Sequence, residues 1–114
     1  IPGVKPWVAG GANLRGRLLP VMDLCGFLGL GLSVVRKQRR VLVLDHEELF
    51  AGLLVDEVVG LQHFALSSLE LSPPQPLIRA AARFVQGHFP RERNWAIFSP
   101  FALARSPGFL EVAA

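Results

Sequence analysis

Apolar residues along the chain come in short blocks separated by turn formers, and most blocks have strand rather than helix length. Residues 7–14, WVAGGANL, read as a strand interrupted by Gly10 and Gly11. Glycines inside a strand mark a bulge or a close approach of another backbone. The following NLRG, residues 13–16, is turn-like, because Asn13 tolerates unusual backbone angles and Gly16 relaxes them further. RLLPVMDL, residues 17–24, is the returning strand; its Pro20 cannot donate to a ladder and is expected at an edge or a bulge. Asp23 then has the character of an N-cap for a short helix LCGFLG, with Gly29 near the C-terminal end.

Residues 29–40 form a connection that ends in the basic run RKQRR. The next 24 residues, VLVLDHEELFAGLLVDEVVGLQHF, are rich in β-branched side chains and predict two strands joined at DHEEL. LSPPQP, residues 71–76, predicts a stiff, exposed linker. PLIRAAARF has enough helix propensity for a helical turn before the next strand. RFVQGHF and NWAIF pair as a hairpin across PRERN. At the end Ser99 caps a short helix, Pro100 takes its first position, and Pro107 with Gly108 stops it.

A chain of 114 residues is long enough for one domain and too short for two independent ones. Hydrophobic residues make up 51% and charged residues 18%, which supports a packed core and argues against disorder. Cys25 is the single cysteine, so no internal disulfide forms. The longest nearly uncharged run, residues 24–35, falls short of the roughly 20 apolar residues that span a bilayer, so no membrane insertion is expected. The opening IPGVKP has no signal-peptide pattern and no initiator methionine, and the chain is read as a fragment.

The net charge of +3 brings nucleic acid into consideration. RKQRR places four positive charges in five residues, yet no aromatic residue interleaves with it to stack bases. Just before an apolar strand, such a run serves as a solvated gatekeeper, and no nucleic-acid partner is expected. Catalytic patterns are absent. Gly16 is followed by Arg17 and Leu18 instead of the lysine and hydroxyl of a phosphate loop. No serine sits in a nucleophile elbow. Cys25 reads as a small core filler, and His46, His63 and His88 are scattered beside turns without metal-ligand spacing. Asp56 and Glu57 are adjacent in a strand and point to opposite faces, so they make no acid–base pair. By elimination the chain binds another protein.

Three stretches also carry a resemblance. IPGVKPWVAGGANLRGRLLPVMDLCGFLGL, AGLLVDEVVGL and WAIFSPFALA, in that order, resemble the signatures of the CheW-like adaptors of bacterial chemosensory arrays. RLLPVMDL, LFAGLLVDEVVGLQHF and the closing PGFLEVAA resemble in particular the pilus-associated branch, which serves twitching motility. The resemblance implies a mostly β fold: one domain over residues 1–114, built of two small β-barrel lobes with short helices, approximately 1–38 and 39–114. Family members normally carry several strands before the position of Ile1, so the N-terminal strands are expected to be missing and the fragment to associate by strand exchange. No catalysis, cofactor or metal is implied. The implied role is a cytoplasmic scaffold at membrane-associated receptor arrays, coupling the tip of a methyl-accepting receptor to the regulatory domain of a histidine kinase. Position by position, Gly10, Asn13, Arg15, Gly52 and Leu61 fall on the receptor side. Leu18 falls on a kinase-facing position, and so does Glu70, where the family often has a basic residue. Leu18 and Leu61 also suit ordinary core packing. Two alternatives stay open: an adaptor-like regulatory domain of a chemotaxis histidine kinase, and a nucleic-acid-binding small barrel supported by charge alone.

Overall fold

The computed structural model describes residues 5–32, 34–75 and 77–110. The expected turning start at Pro2 and Gly3 lies outside the described residues. Two compact units emerge, one reaching to Val59 and resuming at Ser106, the other spanning Gly60–Arg105.

In the first unit β1 (Val8–Leu14) and β2 (Arg17–Asp23) form an antiparallel hairpin. Its register shifts between Val8 and Gly10, the bulge that the paired glycines predict. Gly10 has φ +151, outside the range side-chain-bearing residues favour. Asp23 caps α1 (Leu24–Phe27): its Oδ1 accepts from the Gly26 N–H at 3.1 Å. β3 (Arg40–His46) and β4 (Leu49–Val55) form a second antiparallel hairpin, which ends earlier than the sequence suggests. After Val55 come two carboxylates and Gly60 with φ +112, and among the described residues the next strand begins at Val85.

The hairpins join through a parallel pairing of β2 with β4, Val21 to Gly52, Met22 to Leu53 and Asp23 to Leu54, giving the order β1-β2-β4-β3. This pairing draws residues 40–55 into the first unit. It also places β2 in the interior of the sheet and not at an edge. Pro20 is tolerated because the ladder to β4 starts one residue later, at Val21. The closed barrels implied by the resemblance are open sheets among the described residues. β1 and β3 each have a neighbour on one side only, and closure needs such edges to pair.

The core of this unit follows from the pairing. β2 and β4 are flanked on both sides and bury Leu19, Val21, Met22, Ala51, Leu53 and Leu54 on both faces of the sheet. Phe109, fully buried, packs edge-on against Phe27 at 5.1 Å, and Phe27 in turn meets Trp7 at 5.2 Å.

The second unit begins with a 3-10 turn at Leu66–Ser68. Arg79–Phe84 is also 3-10 helix, so the helical propensity of RAAARF yields tight turns and no α-helix. β5 (Val85–Pro90) and β6 (Asn94–Phe98) form the expected hairpin. Ser99 accepts from the Ala102 N–H at 3.2 Å and starts α2 (Pro100–Ala104), with Pro100 in the first turn. Ala81, Phe84 and Leu103 form its buried centre. The proline-rich linker is not wholly exposed: Pro74 is buried, and Pro76 lies outside the described residues.

Candidate protein-interaction surface

The β1–β2 turn is the sharpest local feature of the first unit. Leu14 pairs with Arg17, leaving Arg15 and Gly16 as a two-residue loop. Both have positive φ, +52 and +81, the pattern of hairpin turns that match strand twist. The Gly16 N–H donates to Asn13 Oδ1 at 3.0 Å, which ties the loop down. Asn13 therefore acts on its own turn, while the Arg15 side chain is exposed. Leu18 pairs across the hairpin with Asn13 and is 76% exposed, so it is no core residue.

Because β2 and β4 run parallel, the turn before each lies at the same end of the sheet. One turn presents Arg15, and the other presents Glu47 and Glu48, all exposed. Glu47, like Arg15, has a left-handed φ, +53. Arg17 lies over the Phe50 ring with its Cζ 3.8 Å from the centroid, packing the end of β2 onto β4. The end of the sheet thus holds an exposed guanidinium, an exposed leucine and exposed carboxylates.

Gly10 and Gly52 sit in one cross-strand row, on either side of Val21, with Val43 beyond. Gly52 is buried. A Cβ there would meet Val41 Cγ1 at 2.7 Å, Leu19 Cδ2 at 3.2 Å and Val21 Cγ2 at 3.3 Å. Its absence lets three side chains close over β4. The edge strand β3 keeps Val41, Leu42 and Val43 exposed at 41–45%. Sequence pattern did not reveal this: β3 and β4 look equally apolar, and only the pairing order decides which is covered.

Leu61 and Glu70 belong to the second unit. Leu61 is fully exposed. Glu70 forms a two-bond backbone bridge with His88, 2.9 and 2.8 Å, and its side chain is exposed. His88 Nδ1 lies 2.6 Å from the Ser72 carbonyl oxygen, to which it donates when that nitrogen carries the proton. The bridge depends on Gly87, where a Cβ would stand 2.6 Å from the Glu70 carbonyl oxygen. The one signal for this in the sequence was a glycine inside an otherwise regular strand.

Among the described residues no three His, Cys, Asp or Glu side chains gather as a metal site, and no helix is long and apolar enough to cross a membrane. Cys25 is half-buried, with its Sγ 4.0 Å from Asp56 Oδ2.

Comparison with known proteins gives a consistent picture. The profile of the CheW-like domain matches residues 1–107. Protein PilI of Pseudomonas aeruginosa strain PAO1 is 59% identical over 113 residues, covering 99% of this chain and 63% of that protein. Chemotaxis protein CheW of Bacillus subtilis strain 168 is 32% identical over 73 residues, 64% of this chain and 47% of that protein. The chain thus spans less than two thirds of the length of these relatives. Among solved structures, the scaffolding protein TtCheW from Thermoanaerobacter tengcongensis superposes with a TM-score of 0.73 at 29% identity, covering 97% of this chain and 71% of that one.

Proposed function

We propose, from the premise that this chain belongs to the CheW-like domain family, that it is part of a non-catalytic chemosensory scaffold. It couples the cytoplasmic tip of a methyl-accepting receptor to the regulatory domain of a histidine kinase, in the system that controls type IV pili and twitching motility. The observation that carries this reading is the 59% identity to Protein PilI across nearly the whole chain. A relative named as a chemotaxis protein and a structural neighbour named as a scaffolding protein support the same role. The geometry supports docking rather than chemistry: large apolar and charged side chains stand exposed at turns and strand edges, and the turn that presents Arg15 is tied by the Gly16 N–H donating to Asn13 Oδ1.

Arg15 supplies the direct test. Left-handed backbone costs an L-residue roughly 1–2 kcal/mol, so Arg15→Gly should leave the fold as stable or stabilise it by up to about 1 kcal/mol. The same change removes the exposed guanidinium. In a reconstituted array of receptor, kinase and scaffold, the variant is expected to activate the kinase several-fold less than wild type while melting no earlier. Equal activation would remove Arg15 from the receptor side. Failure of the wild-type chain to bind either receptor tip or kinase domain would remove the scaffold reading itself.

Self-association is a second expectation. The β3 edge leaves backbone groups and three apolar side chains exposed, conditions that invite pairing with a second chain. Light scattering of the 114-residue chain should show a dimer or larger species, and Val43→Lys should shift it toward monomer. A stable monomer of 12.4 kDa with cooperative unfolding would contradict this.

A further inference from the structure

The turn end of the β5–β6 hairpin has a construction that the scaffold reading leaves unused. Arg91, Arg93 and Trp95 alternate along the chain, and the Arg91 N–H closes the turn on the Arg93 carbonyl oxygen at 3.2 Å. The Arg91 guanidinium lies 4.1 Å from the centroid of Phe64, which itself stacks on Phe89 at 4.6 Å. Arg91 Nη2 also donates to the His63 carbonyl oxygen. The Arg93 guanidinium lies 4.6 Å from the centre of the Trp95 ring. Together with Gln62 and Glu92 they line an open cavity of about 360 Å³.

A guanidinium held over a ring uses one π face there, and its N–H groups lie in its own plane, away from that contact. Such groups can form the fork that reads a carboxylate by two parallel hydrogen bonds; Arg91 gives one N–H of Nη2 to His63 and keeps its others. Neither guanidinium pairs with a carboxylate among the described residues. Both arginines are therefore oriented in advance, with a free charge and little side-chain freedom left to lose on binding.

We propose that this hairpin end is a recognition site for an acidic peptide segment of a partner protein, its carboxylates taken by Arg91 and Arg93. The rings argue against single-stranded nucleic acid, which needs open aromatic faces for its bases. Phe64 is occupied by Phe89 and Arg91, and Trp95 by Arg93. Glu92 stands between the two arginines and lowers the local charge to one net positive. That suits separate carboxylates better than a run of phosphates. Among the described residues β6 is paired on one side only, by β5, and its unpaired edge is where an extended chain would add.

Isothermal titration of the 114-residue chain with an alternating Glu–Ser octapeptide, a matched Gln–Ser octapeptide and an oligo-dT strand tests this. Binding of the glutamate peptide alone is expected, weakened at least tenfold in Arg91→Gln/Arg93→Gln. Arg36→Gln/Lys37→Gln, which removes equal charge elsewhere, should leave it unchanged. Arg91→Lys/Arg93→Lys keeps the charge and loses the fork; it is expected to bind several-fold more weakly than wild type, and it decides the matter if the glutamine variant fails to fold. Equal losses in the two charge-removal variants, equal binding of both peptides, or tighter binding of the oligonucleotide would each overturn the proposal.

Discussion

Alanine in place of Gly52 should destabilise the first unit by about 1–3 kcal/mol, the usual cost of overpacking a filled interior, and trimming Val41 should restore part of that loss. The added Cβ arrives 2.7 Å from Val41 Cγ1, closer than carbon atoms pack. Val41 is 41% exposed on an edge strand, so it can give way or be shortened cheaply. Leu19 and Val21, at 3.2 and 3.3 Å, are buried and have less room. Val41→Ala alone should therefore cost little, and Gly52→Ala/Val41→Ala should unfold at higher denaturant than Gly52→Ala. Such a positive coupling is the sign of direct contact. If the double variant instead shows the sum of two losses, the clash lies elsewhere in the sheet. Should Gly52→Ala match wild type, the glycine is kept for access from outside and not for closure of the sheet.

That distinction separates what the sequence pattern reveals from what it hides. The hairpins at residues 8–23 and 85–98 were legible because their turns carry their own chemistry, Asn13 with Gly16 in one and Pro90 to Asn94 in the other. The Asp23 and Ser99 caps were legible for the same reason, since a cap acts within three residues. Pairing between β2 and β4 is a contact across some thirty residues, and nothing local records it. The pattern therefore hides that β2 lies inside the sheet and that residues 40–55 pack with the first unit. Of the surface residues, Leu18 and Leu61 suited burial equally well by composition, and only the structure shows both exposed. The Arg-x-Arg-x-Trp spacing was visible but read as turn residues alone. Phe64, which holds Arg91, is 27 residues away from it in the chain.

The largest loss is expected from Gly87→Ala, about 2–4 kcal/mol from overpacking plus two weakened hydrogen bonds. For a unit this small that is a fall in melting temperature of roughly 10–25 °C. At this position the obstacle is backbone. The new Cβ would lie 2.6 Å from the Glu70 carbonyl oxygen and 3.5 Å from Leu71 Cα, and no rotamer change relieves either. Residues 69–71 must move off β5, which lengthens the Glu70–His88 bonds now at 2.9 and 2.8 Å. The His88 ring, bonded to Ser72 at 2.6 Å, is strained by the same displacement. Glu70→Ala provides the contrast. Its side chain is exposed and its bridge is made by main-chain atoms, so stability should stay within about 0.5 kcal/mol of wild type. Kinase-domain binding then reads the two roles apart. If Glu70 contacts the kinase through its side chain, Glu70→Ala weakens binding without lowering the melting temperature, whereas Gly87→Ala lowers both. A Gly87→Ala variant that melts with wild type would show that the 69–71 segment slides freely, and that the bridge to His88 does not hold Glu70 in place.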